Sequence, residues 1–372
     1  MAKAKKKLLP KDFEALLERG DLDALKAVFD TCDINARGGV FKQTAPAFNE
    51  CPDDLTRWLV EQGADLSAGD NYGETPLHSR AGHWQGHIEI LLELGADIHH
   101  GENLRGTPLH RAAGSYNVRT ARLLIEHGAR VNALNREKQT PLVYALQCCS
   151  NAQIKNMATL AELLIEASER QAPKQKGLLS AVFASNRKDD AHRTPAMKAL
   201  VTRIGTDFEF HRAGFNPDYV DETSAGLDKL YALFDVPPVP RRAMHDGKSP
   251  IIARAVRWED RFQELWELLI PSNGAAGTVQ GEVIRISGKI RRELDGNGGG
   301  NWDAHFRKMA DAFLAHVGTG TALSDTELAD ARAIVAEIKR RNGDTNRMCE
   351  LAVNWVALNP APMKLPPPDY DR

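Results

Sequence analysis

The 372-residue sequence has no excess of charge in either direction: 48 Lys and Arg stand against 50 Asp and Glu, leaving a formal −2. A protein that wraps nucleic acid carries a basic surplus to neutralise phosphates, so no nucleic-acid partner is expected. Cysteine is scarce. Cys32, Cys51, Cys148, Cys149 and Cys349 form an odd set without a CxxC pair, which argues against disulfide and zinc frameworks and for a reducing compartment. No apolar run approaches the ~18 residues that span a bilayer, so no membrane partner is expected. The Lys-rich start (Lys3, Lys5, Lys6, Lys7) runs directly into Leu8-Leu9-Pro10 without the apolar core of a secretory leader. Residues 1–12 are expected as a solvated basic tail rather than a polyanion-binding one, and the protein as cytoplasmic. Long period-2 alternation is also missing, which points to an almost entirely helical chain.

What is present is repetition. Thr75-Pro76-Leu77-His78 recurs 32 residues later as Thr107-Pro108-Leu109-His110, and Thr140-Pro141-Leu142 follows after 33 more. A second block keeps the same phase, Gly63-Ala64-Asp65, Gly95-Ala96-Asp97 and Gly128-Ala129-Arg130, with Leu91-Leu92 and Leu123-Leu124 between. Thr is suited to cap a short helix whose first residue is Pro, where a missing N–H costs nothing. The Leu pairs supply the buried face of a second helix, Gly its left-handed terminus, and Asp70-Asn71-Tyr72-Gly73 a turn.

Three blocks in common register resemble the ankyrin repeat. Five copies are read over 13–170. An N-terminal capping copy begins at Phe13, a shortened one opens at Thr44-Ala45-Pro46, and the Thr140 copy carries an insertion around Cys149 to Met157. Residues 171–276 read as degenerate ankyrin-like helical repeats, with Gly177-Leu178-Leu179 and Met197 to Ile204 as a helix pair and Ser249-Pro250-Ile251 as a Thr-Pro-Leu variant. Over 277–358 the spacing fails and a helical C-terminal domain is expected. Its helices span Val283 to Leu294, Trp302 to Val317 capped by Asn301, a third opened by the Ser324–Glu327 capping box, and Met348 to Leu358. A Pro-rich tail closes the chain over 359–372. The predicted fold class is all-α: an ankyrin-repeat solenoid of helix pairs with short β-hairpin loops, followed by a helical domain.

Catalytic signals are weak. His78 and His110 occupy a scaffold position in the resemblance and lack a partner that would make either a base. His83 and His87, at i,i+4, would need a further ligand to hold a metal. His99 and His100 are neighbours on a hairpin arm and point apart. Gly296 to Gly300 satisfies neither GxGxxG, because Asn301 stands at the last glycine, nor an EF-hand, because Phe306 stands at the closing Glu. It is expected as a flexible connector. Gln280, Glu282, Arg285, Lys289 and Arg292 form a polar helical stripe that keeps a nucleotide-sensing or enzymatic C-terminal domain, regulated by the repeats, as the alternative. No metal, cofactor or catalytic residue is assigned.

The resemblance implies a non-enzymatic scaffold that binds a protein partner through hairpin tips and first helices. Carried over position by position, the partner-binding residues are Asn71, Tyr72, Glu74, Asn103, Leu104, Arg136, Glu137 and Gln139 at the tips, with Arg80, Trp84, Ser115 and Tyr116 on the helix side. Trp, Tyr and Arg concentrate interface energy, so Tyr72, Arg80, Trp84 and Tyr116 are expected to form a row. By analogy with toxin-neutralising bacterial proteins that use such scaffolds, the partner is expected to be a toxin or effector and the chain an immunity or antitoxin-type inhibitor.

Overall fold

The computed structural model describes residues 4–101, 105–172 and 192–371. The chain divides into two compact units, Met1–Asp207 with Asn216–Val239, and Phe208–Phe215 with Pro240–Arg372.

In the first unit, α1 (Phe13–Arg19) and α2 (Leu22–Thr31) form a helix pair. Asp21 caps α2 by accepting from the amides of Asp23 and Ala24. Their apolar faces bury Phe13, Leu17, Leu25 and Phe29 against Phe48, Leu55 and Leu59. The chain then forms a three-stranded sheet: β1 (Lys6–Leu8) pairs in parallel with β2 (Cys32–Gly38), which pairs antiparallel with β3 (Gln43–Thr44). Part of the basic start, expected as a solvated tail, is therefore a strand, and Lys5 Nζ donates to the Phe29 carbonyl at 2.7 Å.

The segment expected as a shortened copy follows. In place of a first helix it has one 3₁₀ turn, Ala45–Ala47, before α3 (Asp53–Glu61). Regular pairs follow: α4 (Pro76–Ala81) with α5 (Glu89–Glu93), α6 (Pro108–Gly114) with α7 (Val118–Glu126), and α8 (Pro141–Cys148) with α9 (Ile154–Gln171). Gly63, Gly95 and Gly128 each take a left-handed φ after a second helix. In all three copies the next residue's amide reaches back five residues, Ala64 to Leu59, Ala96 to Leu91 and Ala129 to Leu124, each at 2.9 Å. Part of the insertion near Cys149–Met157 becomes helix, and α9, with 18 residues where α7 has 9, is also extended at its C-terminal end.

Arg80 occupies the gap left by the shortened segment. Its side chain is fully buried, and it donates to the carbonyls of Pro46 (2.8 Å), Cys51 (3.1 Å) and His87 (3.1 Å) and to Thr56 Oγ1 (3.1 Å). A guanidinium buried among neutral acceptors is tolerable because several of its donors meet oxygens that would otherwise be left unpaired. The expectation that Arg80 faces a partner is thereby corrected: it joins two repeats from within.

Two long helices, α10 (Pro195–His211) and α11 (Pro217–Phe234), stand where degenerate repeats are expected. Packing of α11 on α9 is close because Gly226 has no Cβ; one built there would lie 3.0 Å from the Lys155 Cα. Gly177-Leu178-Leu179 lies outside the described residues.

The second unit centres on α13 (Val279–Arg291), packed by α12 (Trp258–Leu269), α14 (Ala304–Val317) and α16 (Thr345–Leu358), with α15 (Asp325–Ile338) against α14 and α16. Ser324 and Glu327 form the expected capping box. Three local expectations are corrected. Ser249-Pro250-Ile251 opens no helix, because the Ile251 amide pairs with the Pro360 carbonyl at 2.8 Å. Asn301 does not cap α14; its amide is taken by the buried Glu293 carboxylate, and Asp303 caps instead, accepting from His305 and Phe306. The glycine stretch is not a free connector, since the Gly299 amide returns to the Glu293 carbonyl and Asp295 accepts from Thr345.

Substituting Arg80 with Ala leaves buried carbonyls of two repeats unpaired and opens a cavity. We expect the first unit to lose about 3 kcal/mol or more, read from urea unfolding of the full chain, with little change for exposed Arg57→Ala.

Candidate protein-binding surface

Two of the hairpin tips are built by the same short-range hydrogen bonds. Asp70 Oδ1 accepts from the amides of Tyr72 (2.7 Å) and Glu74 (3.0 Å), and Asn135 Oδ1 accepts from Gln139 (2.8 Å). Asp70 and Asn135 also donate their own amides to the carbonyls of Glu74 and Gln139. The acidic or amide side chain thus closes its own turn, leaving the intervening residues to project.

Successive tips are linked. The Thr75 amide donates to His78 Nδ1 at 3.2 Å, so that nitrogen carries no proton, and the opposite Nε2 donates to the Gly106 carbonyl at 3.1 Å. Thr107 and His110 repeat the arrangement onto the Gln139 carbonyl, at 3.0 and 3.1 Å. The scaffold reading of both histidines is what the geometry contains. Burial holds the His78 imidazole down at about 4, against the raising effect of the Gly106 carbonyl. The Asn71 amide donates to the Phe41 carbonyl at 3.0 Å, tying the second tip to the first.

This stacking assembles an exposed ridge. Phe41 and Tyr72, each about half exposed, have ring centroids 6.1 Å apart. The guanidinium of Arg105 lies over the Tyr72 ring at 4.7 Å. Val40 (86% exposed) extends the ridge at the first tip. Beyond it Arg136, Glu137 and Lys138 project from the fourth. Val40, Phe41 and Arg105 are not among the sequence-derived candidates. Phe41 stands three residues before Thr44 as Tyr72 stands three before Thr75, an alignment that the irregular first hairpin hides, whereas Arg105 takes the place of Gly73 in its copy.

The predicted residues separate. Asn71, Tyr72, Arg136 and Glu137 are exposed at the tips, Glu74 and Gln139 are half-buried, and Asn103 and Leu104 lie outside the described residues. Tyr116 is buried and donates its hydroxyl to the Ala145 carbonyl at 3.1 Å, so it joins repeats rather than facing a partner. Its left-handed backbone, φ 56°, turns the ring inward. Ser115 is exposed. Trp84 is 77% exposed but stands beyond the C-terminal end of α4, whereas Tyr72 precedes its N-terminus. The expected single row of Tyr72, Arg80, Trp84 and Tyr116 therefore does not exist.

The Trp84 loop is firmly held. Asn117 donates to the carbonyls of His83 and Trp84, both at 3.0 Å, and Asn49 bonds Gln85 and the His87 amide. Gly86 (φ 60°) sits against Thr120, where any Cβ would clash. His83 and His87 lie in this loop rather than on a helix, so their i,i+4 spacing does not place them on one face. Among the described residues no cluster of His, Cys, Asp and Glu has metal-binding form.

In the second unit most of the polar stripe turns inward. Gln280, Glu282 and Arg285 are buried. Arg285 donates to both Glu282 oxygens (2.8 and 2.6 Å), Tyr370 donates its hydroxyl to Glu282 at 2.7 Å, and Gln280 bonds the Asn359 and Ala361 carbonyls and the Met363 amide. Burial pushes the Glu282 carboxyl up, but the hydrogen bonds of Arg285 and Tyr370 outweigh it and hold the group below its ordinary value. Gln280 and Glu282 thereby fasten the Pro-rich tail, while Lys289 is half-buried and Arg292 exposed.

Residues 84–171 match the family model of ankyrin repeats, in three copies. The first unit carries ankyrin repeats. Such repeats are protein–protein interaction modules, and the tip at Arg136–Lys138 lies within the matched residues. No curated protein matches this chain. Among the described residues no helix is long and apolar enough to cross a membrane.

Because His78 is neutral when folded and titrates near 6.5 when unfolded, the unfolded state takes up protons first as pH falls. Its contribution is complete above about pH 6.5 and is lost between there and about 4, to a limit of roughly 3 kcal/mol. Urea midpoints of wild type and His78→Gln at pH 7, 6 and 5 should converge as the pH drops.

Proposed function

We propose that the protein is a non-enzymatic scaffold that binds one specific protein partner through the hairpin tips of its ankyrin repeats, with repeat copies beginning near residue 13. The observation that carries this reading is the ridge of Val40, Phe41, Tyr72 and Arg105, where exposed apolar and aromatic side chains and a cation stand together on adjoining tips. Exposed aromatics and Arg at adjoining positions are the composition of an interface centre. Trp84, on its braced loop, provides a second contact.

The finer reading is that the partner is a toxin or effector and that the scaffold inhibits it in the cytoplasm. The same ridge supports this, because a preorganised surface loses little entropy on binding and suits tight neutralisation. The burial of Gln280, Glu282 and Arg285, three of the five stripe residues, favours this reading over ligand sensing in the second unit.

Co-purification with the tagged full-length chain tests the scaffold reading. One stoichiometric partner is expected with wild type, with affinity lowered roughly 30-fold or more in Phe41→Ala/Tyr72→Ala. A partner held equally well by that folded double variant would refute the surface. Growth arrest by the partner alone, relieved on co-expression with the chain, is expected for the inhibitor reading; arrest that persists despite complex formation removes it and leaves the scaffold.

A further inference from the structure

Charges at the tips are treated unequally by the fold. The carboxylates are drawn into it: Asp70 closes its own turn, and half-buried Glu74 pairs with Arg111 at 3.3 Å. Exposed cations are not. Lys42, Arg105, Arg136 and Lys138 form no ion pair with any described carboxylate, and among the described tip residues Glu137 is the exposed acid; Glu102 lies outside the described residues. Over the described tip residues, exposed cations therefore outnumber exposed acids, with an apolar ridge of Val40, Phe41 and Tyr72 alongside.

From this, and resting on the scaffold reading above, we infer that the tips recognise an acidic protein segment carrying an apolar anchor. The anchor lies on Val40 and Phe41 beside the Tyr72 edge, and flanking carboxylates meet Lys42, Arg105 and Arg136. A single-stranded nucleic acid is the other polyanion that cations and aromatics attract, but its bases need free ring faces. Arg105 already covers the Tyr72 ring, and the Phe41 and Tyr72 planes are tilted by 58° rather than parallel. Four cations without a chain-wide basic excess also make a small phosphate-binding set.

The test uses full-length protein against a displayed library of random twelve-residue peptides, with a twenty-nucleotide single-stranded RNA as the competing probe. Wild type is expected to enrich peptides of net negative charge containing a large apolar residue. Their affinity should fall at least tenfold in Lys42→Glu/Arg105→Glu/Arg136→Glu and at least tenfold between 50 and 500 mM NaCl. All three sites are exposed, and an unchanged circular dichroism melt certifies the fold. Enriched peptides without acidic bias that still require Phe41 and Tyr72 overturn the partner chemistry while leaving the scaffold reading intact. Peptides indifferent to Phe41 and Tyr72 count against that reading as well. Tighter binding of RNA than of any selected peptide, or no enrichment at all, also overturns the inference.

Discussion

The hydrogen-bond relay from Thr75 through His78 to the Gly106 carbonyl is the contact on which the exposed surface depends. A neutral imidazole accepts at one nitrogen from its own helix cap and donates at the other to the next hairpin. Gly106 adjoins Arg105, so the relay sets where that guanidinium lies over Tyr72. Thr107, His110 and Gln139 transmit the same constraint one repeat further. The tips are consequently in register because the cores beneath them are, and a projecting residue inherits its position from a buried one.

Where the repeat is incomplete, other side chains take over the joining. The shortened segment offers one 3₁₀ turn where its neighbours have a helix, and the fully buried Arg80 meets the carbonyls that remain. Tyr116 plays a similar part toward Ala145, reaching across with its hydroxyl. Both look from sequence like recognition residues, because Arg and Tyr are what interfaces use. Burial reverses their meaning: the donors that would serve a partner are consumed by backbone oxygens of the adjoining repeat.

The second unit applies the same economy to its polar groups. A helix whose faces are nearly all buried still carries Gln280, Glu282, Arg285 and Ser287. That is tolerable because each has a partner: Gln280 and Glu282 hold the Pro-rich tail through Asn359, Ala361, Met363 and Tyr370, Arg285 pairs with Glu282, and Ser287 donates to carbonyls of its own helix. Glu293 does the equivalent for the glycine turn.

The repeat register, the helix caps at Thr75, Thr107 and Thr140, the left-handed glycines and the scaffold role of His78 and His110 were all legible in the sequence. They depend on interactions spanning a few residues and recurring at a fixed period. Tip residues such as Asn71, Tyr72 and Arg136 were legible for the same reason, as phase alone places them. The inward turn of Arg80 and Tyr116, the pairing of Lys6–Leu8 with β2, the capture of Asn301 by Glu293 and the addition of Phe41 and Arg105 to the ridge were decided only by tertiary structure. Each depends on which distant backbone group lies within hydrogen-bonding or van der Waals reach. Local pattern carries no record of that distance.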